Sequence, residues 1–477
     1  MFNKISDTEC IRKMQIQPKS NGNISSYTFP NGLRLIYEPP YTNMPITTIV
    51  AYCNVGSANE TNELRGASHF IEHCIFKGTN KLSNIDIFTK YDNAGATLNA
   101  YTEKRFTKYF VKTVAEKTDV CIQILSDMLL HSTFPSSEFV KEEKVVIEEN
   151  LQSVDDPSYT IDDMYNSLIY KGTSYEYPVD HISYHKRPFS RQMILDFYRQ
   201  FYRPDQIIVS IVSTLSFKQI VKMVKQSPFS KKMVRFSYQH ANVNNNVDKY
   251  IIRFLPPPIQ SGILYKMSKT PNLETTHLTI SFRTCSLFSN DVYIFKLLQH
   301  IMSGTFGSML SILLREKNGL TYSSTSMIQH IETTGDFTIY VQLDKTKLLH
   351  NETDNKNRNL GVLPLIIGLL NDIVQDGIPK KTFETAKINM RGKMVLDSEK
   401  STVQASHNGL EWLLYSKIDS VIPYQDLYKT YIEPITLKDV NDVIRHYFKK
   451  SAMFICLVGS SLPSMKSIER ECEKFIP

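Results

Sequence analysis

Apolar residues along this chain recur with two periods, alternating in short runs and returning every three or four positions in longer ones, which predicts strands interleaved with helices. In the first half, GLRLIYEPP (32–40) and ITTIVAYCNVGS (46–57) are rich in β-branched and aromatic residues and bounded by Gly and Pro, so both are expected as strands. A helix follows, starting near Arg65 and stopping before Gly78, a residue suited to the left-handed conformation beyond a helix end. Next come a helix over about 83–93, the alternating pair ATLNAYT and RFTKYFVKTV, and a helix over 116–131. The segment SSEFVKEEKVVIEENLQSV opens a long helix whose apolar Phe139, Val140, Val145, Val146 and Ile147 are interleaved with acids. Seven residues bring a helix back to nearly the same azimuth, so Glu142 and Glu149 share a face, while Glu143 and Glu148 lie off it. Helices over 161–171 and 190–202 lead to a strand, QIIVSIVST (206–214), that completes the first sheet.

From about residue 263 the same order runs again. HLTISFRTC (277–285) answers ITTIVAYCN, a helix over 290–302 takes the place of the one after it, and GLTYSSTSM (319–327) with GDFTIYVQLD answers the second pair of strands. LPLIIGLLNDIVQDG and KKTFETAKINMRGKMVLDS parallel the two helices over 116–155, and FYRQFYRPDQIIVSIV matches VIRHYFKKSAMFICLVG in pattern. Between the copies, KKMVRFSYQHANVNNNVDKY and the run Pro256-Pro257-Pro258 read as a linker. The expected organisation is a domain over 1–235, a linker over 236–262 and a second domain over 263–477. Each domain is α+β, a mainly antiparallel sheet packed with helices.

Length agrees with this division, because 477 residues exceed one ordinary core. With 42% hydrophobic and 22% charged residues the chain resembles an average globular protein, and no apolar run approaches the length of a bilayer span. The opening MFNKISDTECIRKMQIQPKS lacks the apolar core of a secretory signal, and its acids fit a mitochondrial presequence poorly. Seven cysteines, an odd number without CxxC spacing, fit a reducing compartment, so cytoplasm or mitochondrial matrix is expected. A net charge of +7 raises the question of an anionic partner. The lysines are dispersed and no nucleic-acid motif is present, so a solvated surface is expected instead. The Asn-rich stretches at 242–246 and 351–359 are expected as loops.

The chemistry concentrates in HFIEH, residues 69–73. On a helix His69, Glu72 and His73 project from one face. Two imidazoles at that spacing can reach one tetrahedral ion, and the glutamate between them is placed to take a proton from water. Cys74 points off this face, so packing is its expected role. A third ligand must come from another helix, and Glu149 is the candidate carboxylate.

HxxEH followed well downstream by a glutamate in VVIEEN resembles the inverted-motif zinc peptidases, the pitrilysin and processing peptidase family. In size the chain is most similar to the β subunit of the mitochondrial processing peptidase and its single-chain bacterial relatives. The resemblance implies two homologous domains closing as a clamshell around a peptide chamber, with one zinc per chain on His69, His73 and Glu149 and Glu72 as general base. It makes Glu142 a carboxylate that orients a ligand histidine. GATLNAYT resembles the family's edge strand, which implies that Asn99 and Ala100 lie beside the metal and that an extended peptide substrate pairs there. LLREKNGLTY resembles the segment whose arginine and tyrosine reach across to the active site, which implies that Arg315 holds substrate backbone and Tyr322 donates to the oxygen that becomes anionic. A homodimer, or a heterodimer with a related subunit, is also implied.

Some positions depart from the family. Where the processing peptidase carries acids beyond its third ligand, this chain has Tyr159 and Asp163, so a basic presequence is not the expected substrate. YEYPVDHISY replaces a glycine-containing turn, and its His181 and His185 are expected in a loop or on the surface. The expected function is a zinc endopeptidase acting on short or unfolded peptides. The alternatives are a non-catalytic structural subunit, which would have lost ligands or base, and a basic binding protein, which would hold no zinc and bind polyanions in a salt-sensitive way.

Overall fold

The computed structural model describes residues 23–180, 189–231, 257–258, 260–351, 359–416 and 418–476. Most of the expected linker, the stretch at 242–246, His181 and His185, and the first twenty residues with Cys10 therefore lie outside the described residues.

In the first half, β1 (Ser25–Thr28), β2 (Arg34–Glu38) and β3 (Ile46–Cys53) lead to α1 (Ala67–Ile75) and α2 (Asn84–Asn93). The pair β4 (Thr97–Thr102) and β5 (Thr107–Val114) is followed by α3 (Thr118–His131), α4 (Ser136–Asp155), α5 (Pro157–Ile169) and α6 (Arg191–Phe201). Then come β6 (Ile207–Ser213) and α7 (Phe217–Gln226). The second half begins with β7 (Leu264–Lys269), β8 (Thr275–Thr284), α8 (Asp291–Ser303), β9 (Ser323–His330) and β10 (Gly335–Asp344). A short pair, β11 (His350–Asn351) and β12 (Asn359–Leu360), precedes α9 (Val362–Gln375), α10 (Lys380–Ser398) and α11 (Ser401–Tyr415). After these come α12 (Leu437–Tyr447), β13 (Met453–Gly459) and α13 (Met465–Cys472).

The sheets run β1-β2-β6-β3-β5-β4 and β7-β13-β8-β10-β9. Apart from the extra edge strand β1, the two orders superimpose strand for strand. Both sheets are mixed, because β2 pairs parallel with β6 and β7 with β13 while the other neighbours are antiparallel. QIIVSIVST thus completes the first sheet from its middle, between β2 and β3. All seven residues of β6 and all seven of β13 are buried, the pattern of strands covered on both faces.

The cover on the second face comes from the opposite half. Helix α11 lies on the first sheet, where Ala405, Trp412 and Leu413 pack with Ile36, Val50, Tyr52, Ile208 and Val212. A Cβ at Gly409 would stand 2.7 Å from the Tyr52 ring, so only glycine allows this approach. Polar donors in the contact find acceptors: Asn408 donates to Glu38 (2.8 Å), Gln404 to the Pro39 carbonyl (2.8 Å) and Tyr52 to the Ser406 carbonyl (2.9 Å). Reciprocally, α5 lies on the second sheet, where Ile161, Met164, Tyr165 and Ile169 pack with Phe454, Cys456 and Val458. Tyr170 donates to the buried Asp336, and Arg105 pairs with Glu332 at 2.9 Å. Each half therefore sends one helix across to close the other's sheet. Nothing in the hydropathy of STVQASHNGLEWLLY predicts such a role, because its contact face carries Gln404, Asn408 and Gly409.

Among the described residues no single helix is long and apolar enough to cross a membrane; one pair, α9 and α10, meets length and composition together across a 99° bend. Six cysteines, Cys53, Cys74, Cys121, Cys285, Cys456 and Cys472, are buried and unpaired.

Candidate active site

Helix α1 is set by its two ends and its buried face. The residue that caps its N-terminus, Gly66, has φ of 89°, and the buried Glu60 accepts from the backbone N–H of Gly66 (2.8 Å) and Ser68 (2.7 Å). Burial pushes the Glu60 carboxyl up to about 7, against the pull of those two N–H groups. Phe70, Ile71, Cys74 and Ile75 fill the core, which leaves His69, Glu72 and His73 on the opposite, partly open face. Helix α4 crosses beside it, anchored by buried Phe139 and Val146 and bringing Glu142 and Glu149 to that face.

The three expected ligands meet. His69 Nε2 and His73 Nε2 are 3.3 Å apart, and Glu149 Oε2 stands 3.3 Å from the second and 3.8 Å from the first. Donor atoms about 2.0–2.1 Å from a tetrahedral zinc sit about 3.3 Å from one another, so the spacing fits that ion. The other ring nitrogens are taken up by carboxylates. His73 Nδ1 lies 3.2 Å from Glu142 Oε2, and His69 Nδ1 lies 2.9 Å from Asp180 Oδ1. Such contacts fix each ring's rotation and tautomer, leaving Nε2 to face a metal. Among the described residues, His69, His73 and Glu149 form the only group of three acidic, histidine or cysteine side chains close enough to share an ion.

Electrostatics agree with a cation at that point. Burial works against a charged His69 ring, but Asp180, Glu72 and Glu149 outweigh it and hold the ring above its ordinary value. Burial likewise works against the Glu142 carboxylate, yet His73 and Lys77, the latter at 2.6 Å, keep it below the usual carboxylate range. Thr102 donates to Glu72 Oε2 at 2.6 Å, fixing that carboxylate toward the end of β4.

Strand β4 is the edge of the first sheet and pairs with β5 alone, so its other side is free for an added strand. Asn99 is exposed there and Ala100 is buried. Tyr159 donates to the Asp180 carbonyl at 3.2 Å, tying α5 to the loop that carries Asp180. Asp163 is half-buried, with its carboxyl raised first by burial and then moderated by Lys104 and Lys266. Arg315 and Tyr322 are not brought to the histidines. Arg315 sits in a π-helical turn, Ser311–Glu316, with its guanidinium 5.2 Å from the Tyr322 ring and 5.7 Å from the Phe306 ring. Tyr322 is 85% exposed and Phe306 80%, and among the described residues Arg315 and Tyr322 have no polar or ring contact with the first half. Sequence reasoning missed Asp180, Glu60 and Thr102, although Thr102 lies in GATLNAYT and Asp180 in YEYPVDHISY, both stretches already singled out.

Comparison with known proteins matches two successive family models to the chain. Residues 41–180 match the model for insulinase, peptidase family M16, and residues 188–390 match the model for the peptidase M16 inactive domain. The second match starts before β6, so it begins inside the first structural half. A protein of Bacillus subtilis named as an uncharacterised zinc protease is 27% identical over 92% of this chain and 100% of its own length. One of Rickettsia felis, similarly named, is 26% identical over 89% of this chain and 94% of its own. Among solved structures, a protease from Helicobacter pylori superimposes with a TM-score of 0.79 at 19% identity, covering 92% of this chain and 99% of that one. The periplasmic protease PqqL of Escherichia coli gives 0.72 at 16% identity, with 95% of this chain matched to 50% of that one. The first model falls on the half that holds HFIEH and the second starts within that half and runs through most of the half without it, and the chain belongs to peptidase family M16.

Proposed function

We propose that this protein is a zinc-dependent endopeptidase that hydrolyses peptide bonds in short or unfolded peptides. One observation carries this: His69 and His73 converge through Nε2 on Glu149 while carboxylates occupy both Nδ1 atoms, with Glu72 on the same helix face. Held by these three residues, zinc supplies a Lewis acid that polarises a scissile carbonyl and eases the ionisation of water. Glu72, steadied by Thr102, takes the proton from the attacking water and returns it to the leaving amine. The free edge of β4 pairs with an extended peptide, with Asn99 and Ala100 at the register beside the motif helix.

Arg315 and Tyr322 act, on this reading, in a site completed by a second copy or a related subunit. Their exposure and their lack of contacts with the first half of their own chain support that assignment. The buried, unpaired cysteines support a reducing compartment such as cytoplasm or mitochondrial matrix.

Metal analysis and cleavage of a varied peptide library, with wild type and Glu72→Gln side by side, test the proposal. About one zinc per chain is expected in both, with hydrolysis in the wild type alone. Zinc without cleavage in the wild type favours a non-catalytic subunit, and a carefully prepared wild type without zinc removes the site.

A further inference from the structure

The two halves can be aligned residue by residue across the site. From Ser68 onward the buried positions of α1 are Ser68, Phe70, Ile71, Cys74 and Ile75, and in α8 the same spacing recurs from Phe295 at Phe295, Leu297, Leu298, Ile301 and Met302. The partly open positions between them are His69, Glu72 and His73 in the first half and Lys296, Gln299 and His300 in the second. KLLQH therefore stands where HFIEH stands. Helices α3 and α9 are both 14 residues long, and each leads through a proline N-cap, Pro135 or Pro379, into the next helix. In that register Glu149 corresponds to Lys393.

These substitutions invert the charge of the site. Two metal ligands have become lysines and the base has become a neutral amide, while one histidine remains. Lys296, Gln299, His300 and Lys393 line a single cavity of about 550 Å³. The Lys296 ammonium lies 4.7 Å from the Tyr293 ring and has no hydrogen-bond acceptor or ion-pair partner among the described residues. His300 Nε2 is buried without a partner, and a Cβ at Gly304 would come within 2.2 Å of its Nδ1, so glycine makes room for the ring. Two acids stand near this set, and burial lowers the Lys296 ammonium below its ordinary value against the pull of one of them, Glu411. Asp397 at the rim is held by Lys400 at 2.9 Å, and burial pushes Glu411, the acid that acts on Lys296, up to about 7. Burial first, and Lys393 second, make a charged His300 unfavourable.

Donors converging in a concave, partly dehydrated site are what an oxyanion requires and what a divalent cation cannot tolerate. We propose that the second half carries a charge-inverted replica of the metal site that binds an oxyanion, a carboxylate or a phosphate, between Lys296, His300 and Lys393. The site is independent of whether the first half holds zinc.

Calorimetric titration of the full chain with inorganic phosphate, and with one short peptide bearing either a free or an amidated C-terminus, tests this. Saturable binding of phosphate or of the free-acid peptide is expected, weakened about tenfold or more by Lys296→Met and by Lys393→Met and unchanged by Lys438→Met, an exposed lysine outside the cavity lining. Zinc content is expected to stay constant throughout. Phosphate binding alone assigns a phosphate ligand, and peptide binding abolished by amidation assigns a chain-end carboxylate. Lys393 is exposed, so Lys393→Met keeps the test intact if Lys296→Met does not fold. No saturable binding of any probe to the wild type, or equal affinity in wild type and Lys393→Met, overturns the proposal.

Discussion

His69 Nδ1 and Asp180 Oδ1 lie 2.9 Å apart, so the ring that offers its Nε2 toward Glu149 is held from behind by a loop carboxylate. Outer carboxylates of this kind typically account for about 10- to 100-fold in metal affinity. Asp180→Ala is expected to lower zinc affinity by about that factor, measured by competition with a chelator, while His69→Ala abolishes stoichiometric binding. Equal affinity in Asp180→Ala and wild type would show that the contact does not orient the ring.

If Arg315 and Tyr322 serve a neighbouring copy, two inactive variants should restore one another. In a dimer of Glu72→Gln with Arg315→Ala, one site has both its own Glu72 and the other chain's Arg315. An equimolar, fully exchanged mixture is expected to recover about a quarter of wild-type peptide cleavage. A mixture as inactive as its components would count against sharing.

Gly409 faces the Tyr52 ring across the contact between α11 and the first sheet. Gly409→Leu overpacks this contact and is expected to cost about 1–3 kcal/mol. Trp412, the one tryptophan, is buried in the same contact, so its fluorescence reports the loss during denaturant unfolding. A midpoint unchanged from wild type would mean that the helix relaxes away at no cost.

Burial raises Asp336 to about 6, against the hydrogen bonds from Tyr170 and Thr338. Its native carboxyl thus holds a proton that the unfolded chain has already released between about pH 4 and 6. With more protons bound in the native state, stability from this group falls as pH rises through that window and levels off above it. Relative to Asp336→Asn, which stays neutral, the wild type should lose at most about 3 kcal/mol across the window in chemical denaturation. A difference independent of pH would exclude the buried, protonated carboxyl.

What could be read from the sequence was local. HFIEH on one face, Glu142 and Glu149 a double turn apart, and β4 as an alternating strand all follow from periods of 3.6 and 2. Asp180 escaped because a single acid in a proline-containing loop has no period. The middle position of β6 escaped because strand order is set by contacts far apart in the chain. Helix α11 escaped for a different reason, since its contact face is small and polar and is satisfied by Glu38 and Pro39 rather than by apolar burial alone. KLLQH carried no signal until the register of α8 against α1 was visible.

The crossing of α5 and α11 has a consequence for how such a duplicated chain can be divided. Separating the halves between α7 and β7 would leave α5 without its sheet and strip the back of the first sheet bare. A half that has lost its zinc motif is therefore not an appendage. It is the missing wall of the half that kept it, and a fragment of that first half cut free of it would expose Ile36, Val50 and Val212 to water.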